Sequence, residues 1–315
     1  MTPTSSAIAD PARWASLAGQ CAVADGLFGQ RGFERVRRWL AAEFHRIDAI
    51  DFARSFSAHV QLPGIVERDF NHRLVRSSRG DLLGGIRFYS RDIGRPFVEI
   101  ICHTFTELDH LTDCVSTEWA AFGPLWARLH GPAGEQRPPR AILDLTVYAA
   151  RCAEMTAPDG RVELTRFRDP ADAIALVAQR YSELAAEDPE LARRVTAADP
   201  ADLRSWHDAG QLHAVTVAHA EVGALAIAPG AVLWIDGYEV DEEVILASYA
   251  GNGYAASAQS AWAHRAEVDP DMLLVGTIDG RNTVSRRTTV RAGRRPILDA
   301  TFVNLRTMYS WGQQP

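Results

Sequence analysis

Apolar residues recur at helical spacing along FERVRRWLAAEF (residues 33–44), which predicts an amphipathic helix early in the chain. Three strand-like runs follow, HRLVRSS (72–78), LLGGIRFYS (82–90) and PFVEIICH (96–103). SRGD and RDIGRP supply turns between them, so an antiparallel meander is expected. Gly84 and Gly85 mark either a bulge in the middle run or a close approach of another group to its backbone. A helix through LTDCVSTEWAAFGPLWARL (111–129) and a strand in AILDLTVYAA (141–150) complete this half.

The second half repeats that order. VELTRF (162–167) predicts a strand, and DPADAIALVAQRYSELAAE (169–187) a helix opened by Asp169 as N-cap and Pro170 at the first position. A further helix is expected over DPELARRVT and ADLRSWHD. Strands follow in LHAVTVA (212–218), EVGALAIA (221–228) and AVLWIDGYEVDEEVIL (231–246), with turns at AHA and APG. Next come a glycine-containing turn, a helix AASAQSAWAHRA (255–266), a strand MLLVGTI, a helix NTVSRRTTVRAG (282–293) and a last strand ILDATFVNL. The Pro- and Gly-rich LHGPAGEQRPPRA (129–141) is the seam, giving expected domains at 1–150 and 151–315. No residue-level repeat accompanies the repeated order.

Bulk properties narrow the classes. A chain of 315 residues, 47% hydrophobic and 23% charged, can bury two full cores. It holds no apolar run long enough for a bilayer. The start, MTPTSSAIADPARW, has neither a basic region nor an apolar stretch, so a cytoplasmic protein is expected. A formal charge of −7 argues against nucleic acid as partner. The four cysteines are irregularly spaced, as in reduced intracellular proteins. Cys102, His103, His110 and Cys114 cluster in CHTFTELDHLTDC, but their spacing matches no common zinc pattern, so no metal is expected.

The stretch SYAGNGYAASAQSAW (248–262) carries the candidate chemistry. It is either a plain turn before a helix or an anion-binding nest. In the second case consecutive amides at a helix start, backed by the helix dipole, close on phosphate. Glycines at 251 and 253 permit the unusual dihedrals and the close approach this needs.

With AGNGYA (250–255) and NTVSRRTTVRAGR (282–294) in this order and a strand between them, residues 161–305 resemble the GNAT superfamily of N-acyltransferases. Those enzymes move an acyl group from coenzyme A to an amine. The resemblance implies a mixed α/β sheet, two GNAT-like units in tandem, and a first unit that is accessory and non-catalytic. It implies that Ala250, Gly251, Asn252, Gly253, Tyr254 and Ala255 hold the pyrophosphate of an acyl-CoA, acetyl-CoA in the simplest case. Asn282 opens the last helix of the motif. The preceding strand should splay and leave backbone groups of Val244, Ile245 and Leu246 for the pantetheine arm, with an amide there to hold the oxyanion. Ala250 stands where the family has Arg or Gln, which removes a side-chain contact with phosphate.

A general base is needed because the amine arrives protonated. Strict alternation places Glu239, Asp241 and Glu243 on one face of their strand, Asp236 and Glu242 on the other. In family members with a strand glutamate, the base sits eleven positions before the first loop residue, which lands on Glu239; Asp241 is the second choice. The family's acid, a tyrosine in the last helix, is matched here by Thr289, and Arg294 replaces the aromatic after the closing glycine. A thiolate of pKa near ~8.5 leaves without much help, so water, Tyr249 or Tyr254 can substitute.

The expected activity is therefore direct acyl transfer from acyl-CoA to the primary amine of a small molecule, without a covalent intermediate. The alternatives are a non-catalytic acyl-CoA-binding module and a tandem transferase using another donor such as aminoacyl-tRNA. Monomer and homodimer are both compatible with the sequence.

Overall fold

The computed structural model describes residues 9–138 and 140–305; the first eight residues, read above for an export signal, lie outside it. The chain divides into two compact units, residues 1–144 with 298–315, and residues 145–297.

In the first unit, helices α1 (Ala18–Phe28), α2 (Gly32–His45) and α3 (Ile50–Ser57) precede the meander β1 (Arg73–Ser77), β2 (Gly80–Phe88) and β3 (Pro96–His103). Helix α4 (Leu108–Glu118) then crosses to β4 (Trp126–Pro132), which runs parallel to β3. The expected helix over 111–129 is shorter than its apolar pattern. Gly123, at φ 58 in the left-handed region, turns the chain, and Trp126 begins a strand instead. Both readings of the paired glycines hold. The β2–β3 register slips between Leu83 and Gly84, and a β-carbon on Gly85 would sit 2.6 Å from the His72 ring. The last strand, β11 (Arg295–Asn304), pairs antiparallel with β4 from Leu298↔Pro132 to Asn304↔Trp126. The core gathers Phe70, Ile86, Val98, Leu111, Val115 and Trp119.

The β3–β4 register covers only Phe97↔Trp126, Val98↔Ala127 and Glu99↔Arg128, after which the strands part. That fork is filled from within the unit. The Glu99 carboxylate ion-pairs with Arg128 and bonds His130 Nε2 at 2.6 Å, while Arg128 also donates to Asp144 at 3.0 Å. These cations hold Glu99 well below the ordinary carboxylate range against its desolvation. Beyond the fork the Ser16 hydroxyl accepts from the His103 amide at 2.8 Å, and Gln20 Nε2 donates to His130 O at 3.4 Å. The start of α1 and the turn just before it thus occupy the space between the strands.

In the second unit the strand order is β5-β10-β9-β8-β7-β6. It comprises β5 (Ala141–Arg151, of which residues 145–151 belong to this unit), β6 (Glu163–Arg166), β7 (Leu212–Val217), β8 (Ala220–Val232), β9 (Ile235–Ile245) and β10 (Leu273–Asp279). Helix α5 (Pro170–Glu187) starts as its sequence predicts, with Asp169 accepting from the Ala171 amide at 2.8 Å. The next expected helix is one turn at Pro189–Ala192 and then α6 (Pro200–Asp208). The turn at AHA forms, with Ala218 and His219 both in the left-handed region. No turn forms at APG. Strand β8 runs through Pro229 and Gly230 to Val232, and the chain reverses at Leu233 and Trp234. Helices α7 (Tyr254–Ala263) and α8 (Thr283–Ala292) complete the unit.

The sheet packs α5 and α6 against one face and α7 and α8 against the other. Phe167, Leu176, Leu203, Ala224 and Val244 fill the first layer. Val215, Leu225, Ile227, Trp262 and Leu274 fill the second, with Tyr238, Val240 and Ile245 packed on them. The small residues of α7, almost all buried, let that helix lie close on the sheet. No helix among the described residues is long and apolar enough to cross a membrane.

Candidate active site

Strand β9 binds β8 along its length but meets β10 only at Tyr238↔Leu274 and Glu239↔Val275. Past Glu239 the two parallel strands separate, while β10 stays fully paired with β5 on its other side. The second unit therefore carries a fork whose apex is Glu239.

A bulge sits just beyond the apex. Ile227 pairs with Val240 but Ala226 with Glu242, so Asp241 is an extra residue on β9. The slip reverses the alternation, and here the structure corrects the sequence reading of the faces. Val240 packs toward α7 and Val244 toward α5, so Glu239 lies on the α5–α6 side while Glu243 turns to α7. Glu242, expected opposite Glu239, also faces α5, where Tyr181 Oη and the Ala198 amide donate to it at 3.3 and 2.9 Å.

Glu239 is partly buried and has no hydrogen-bond or ion-pair partner among the described residues. Desolvation, with Asp241 adding repulsion, pushes its carboxyl up to about 7. Asp241 is raised to about 6 by desolvation and by Asp202 of α6.

On β9 past the bulge, the Leu246 amide donates to Val222 O at 2.9 Å and Val244 pairs with Ala224. Of the three positions expected to face the donor, the alternation turns only the Ile245 backbone groups away from β8, toward the fork. The Leu246 amide is already engaged.

The chain then enters the glycine loop. The Ala250 amide is taken by Ala247 O at 3.1 Å. Gly251 (φ 80) and Gly253 (φ 79) adopt the left-handed conformation, and the amides of residues 251–256 have no acceptor among the described residues until Ser257 bonds Gly253 O at 3.1 Å. Asn252 braces the loop, its Nδ2 donating to Tyr249 O at 3.1 Å.

Two arginines that the sequence reading passed over stand at this loop. Arg161 donates through Nη1 to Asn252 O at 2.7 Å and through Nη2 to Ser257 Oγ at 2.9 Å. Asp159 holds it in place, the Arg161 Nε to Asp159 Oδ2 distance being 2.8 Å, and that guanidinium keeps the Asp159 carboxyl down at about 2. Arg291 of α8 brings Nη1 to 2.7 Å from where a β-carbon on Gly253 would stand. Arginines thus reach the loop from two other segments, Arg161 ion-paired with Asp159 and bonded to the loop itself, Arg291 without an ion-pair partner among the described residues. A purely local motif search has no means of finding them.

Asn282 caps α8, its side-chain oxygen accepting from the Ser285 amide at 3.0 Å. Thr289 is buried and accepts from Arg294 Nη2 at 3.0 Å. Arg294 is itself buried, its Nη1 packed on Gly276, and its Nε donates to Gln259, which in turn binds Glu243. Cys152 is buried in the core and its thiol is pushed up to about 11 by desolvation, so it is no nucleophile. Among the described residues no group of three or more His, Cys, Asp or Glu is placed to hold a metal.

No protein-family model and no curated protein matches the sequence. Among solved structures, a GCN5-related N-acetyltransferase from Sphaerobacter thermophilus superposes over 99% of both chains with a TM-score of 0.51 at 15% identity. A GCN5-related N-acetyltransferase from Kribbella flavida matches over 80% of this chain and 95% of its own, TM-score 0.41 and 16% identity. A tandem GNAT protein from the clavulanic acid biosynthesis pathway matches over 85% and 95%, TM-score 0.40 and 12% identity. The first of these, extending over the whole chain, gives the fold: this protein has the GNAT fold of the GCN5-related N-acetyltransferases.

Proposed function

We propose that the second unit is an N-acyltransferase that moves an acyl group from an acyl-CoA to the primary amine of a small molecule, and that the first unit is not catalytic. The observation that carries this reading is the arrangement along β9. A desolvated, unpartnered glutamate stands at the apex of the strand fork, and the same strand leads into a loop of uncommitted amides.

The loop amides and Arg291 bind the pyrophosphate while Arg161 braces the loop, and the pantetheine arm lies along the open edge of β9 at Ile245. The acceptor approaches from the α5–α6 side, where Glu239, Asp241 and Asp202 favour a cation. Glu239 removes a proton from the ammonium, directly or through water. The nitrogen lone pair then forms the C–N bond at the thioester carbonyl, and the charge on oxygen is met by a backbone amide of the fork. Collapse breaks the C–S bond and expels the thiolate. The second proton leaves the nitrogen as the amide forms and passes through water to the thiolate, because Thr289 is buried and already accepts from Arg294, while the proton on Glu239 is released to solvent.

In the first unit, Arg128 and His130 engage the glutamate at the corresponding strand fork and α1 occupies the gap, which supports an accessory role. Incubation with acetyl-CoA and a panel of amines, with free thiol followed over time, tests the proposal. Amine-dependent thiol release supports it. Saturable binding without release favours a non-catalytic acyl-CoA module, and absence of binding defeats both.

A further inference from the structure

The guanidinium of Arg294 is engaged through Nε, which donates to Gln259 Oε1 at 3.1 Å, and through Nη2, which donates to Thr289 Oγ1 at 3.0 Å. The residue is only 3% exposed, and its Nη1 is buried with no hydrogen-bond partner among the described residues. A buried charged donor left unmatched is costly and rare, so where it points is informative.

Its position is set by the strand fork. The last β9–β10 pair is Glu239↔Val275, and Val240 and Gly276 are the next residues on the two strands. Nη1 stands 2.8 Å from where a β-carbon on Gly276 would sit, and that point is 3.4 Å from Val240 Cβ. Any larger residue at 276 would take the place of the guanidinium. Val240 packs toward α7, so Nη1 lies on the α7–α8 face of the first open step. Glu239 lies on the opposite face, toward α5 and α6. An unmatched cationic N–H and an unpartnered carboxylate thus flank the apex from its two sides. The titratable groups on the side of Arg294 are Glu243, which Gln259 binds, and Tyr148 of β5, whose hydroxyl accepts from Arg286 Nε at 3.1 Å. Desolvation, opposed by Glu243, brings the guanidinium down to about 10, which leaves it charged at neutral pH.

We propose that Arg294 is a catalytic residue that holds the leaving thiolate. The inference rests on the acyl-CoA reading and deepens it. As the tetrahedral adduct collapses, the electron pair of the C–S bond passes to sulfur. Nη1 donates a hydrogen bond to that sulfur and keeps its own proton. The thiolate then takes the second proton of the nitrogen through water and departs as the thiol. Charge appears on sulfur only as the bond breaks, so a fixed cation there stabilises the transition state more than the bound thioester.

The thiol of bound CoA reports this contact. It is titrated on the protein by its thiolate absorbance, with the desulfo-CoA complex as blank. In wild type it should ionise about one pH unit or more below CoA free in solution, as expected beside an opposite charge. Arg294→Met should return it to the solution value or above, while desulfo-CoA still binds within a few-fold of wild type. Arg294→Lys, which keeps a cation at the position, should retain part of the shift. A wild-type thiol that ionises at or above its solution value overturns the inference, as does an undiminished shift in Arg294→Met; either leaves acyl-CoA binding standing. If Arg294→Met no longer binds desulfo-CoA, Arg294→Lys decides. A retained shift there supports the inference, and a lost shift with desulfo-CoA still bound overturns it. If wild type binds neither CoA nor desulfo-CoA, the acyl-CoA reading itself fails and takes this inference with it.

Discussion

Gln259 donates through Nε2 to both carboxylate oxygens of Glu243, at 2.9 and 2.8 Å, and accepts from Arg294 Nε at 3.1 Å on its other side. The amide links a partly buried acid to a buried cation across α7. Desolvation outweighs Gln259 and Arg294 and leaves the Glu243 carboxyl raised to about 7.

A pH-dependent stability follows from that shift. Because the folded pKa is raised, the native state binds the proton more tightly than the unfolded chain does. Stability therefore falls as pH rises from about 4.5 to about 7, by up to about 1.4 kcal/mol per pH unit from this group. Glu243→Gln removes the titration. Urea unfolding at pH 5 and pH 8 should show the stability difference between wild type and variant move against wild type at the higher pH. A pH-independent difference would count against the shift.

Glu239→Gln should lower the acyl-transfer rate by about 10²- to 10⁴-fold while the affinity for acyl-CoA stays within twofold or so of wild type. In the wild type, kcat/KM should rise with pH and level off above about 7, where the carboxylate is ionised. Unchanged turnover in Glu239→Gln would move the base to Asp241 or to water.

Gly253 occupies the left-handed region, where a side chain costs about 1–2 kcal/mol, and the new methyl group would also displace the Arg291 guanidinium. Gly253→Ala is expected to lower thermal stability modestly and to weaken CoA binding several-fold. Calorimetry reads both, and intact binding in a melted-down variant would place the anion elsewhere.

Arg128→Met in the first unit leaves the buried carboxylates of Glu99 and Asp144 without their shared cation. A loss of about 3–5 kcal/mol is expected in denaturant unfolding. A double variant, Arg128→Met with Glu99→Gln, should recover part of it. A loss under 1 kcal/mol in the single variant would mean that the ion pair is open to solvent.

Much of the second unit was legible because its signals are local. Asp169 and Pro170 announce α5, Gly251 and Gly253 announce the loop, and Asn282 and Gly293 bracket α8. Glu239 was singled out by the resemblance, by counting back from the loop, but its place at the apex of the fork is set by the β9–β10 pairing; the sequence reading put the splay further along, at residues 244–246. What stayed hidden depends on pairing between distant segments. The extra residue at Asp241 has no sequence mark, since a bulge is set by how β8 and β9 register, and it alone moved Glu243 to the other face. Arg161 reaches the loop from 91 positions away in the chain. The six arginines of residues 280–298 were visible in the sequence as an acid-free basic segment, a signal that the helical reading of the same residues did not use. In the first unit, Gly123 cut short a helix whose apolar pattern runs on past it.

The part of strand β11 that closes the first sheet, Leu298–Asn304, follows the second unit in the chain, yet it pairs with β4, whose residues lie more than 160 positions earlier. Until β11 is made, the row of backbone groups on β4 stays unmatched on that side, and Phe97 and Trp126 lack Phe302. The first sheet is thus closed by a contact of high sequence separation, the kind whose loop-closure entropy must be met before the contact stabilises anything.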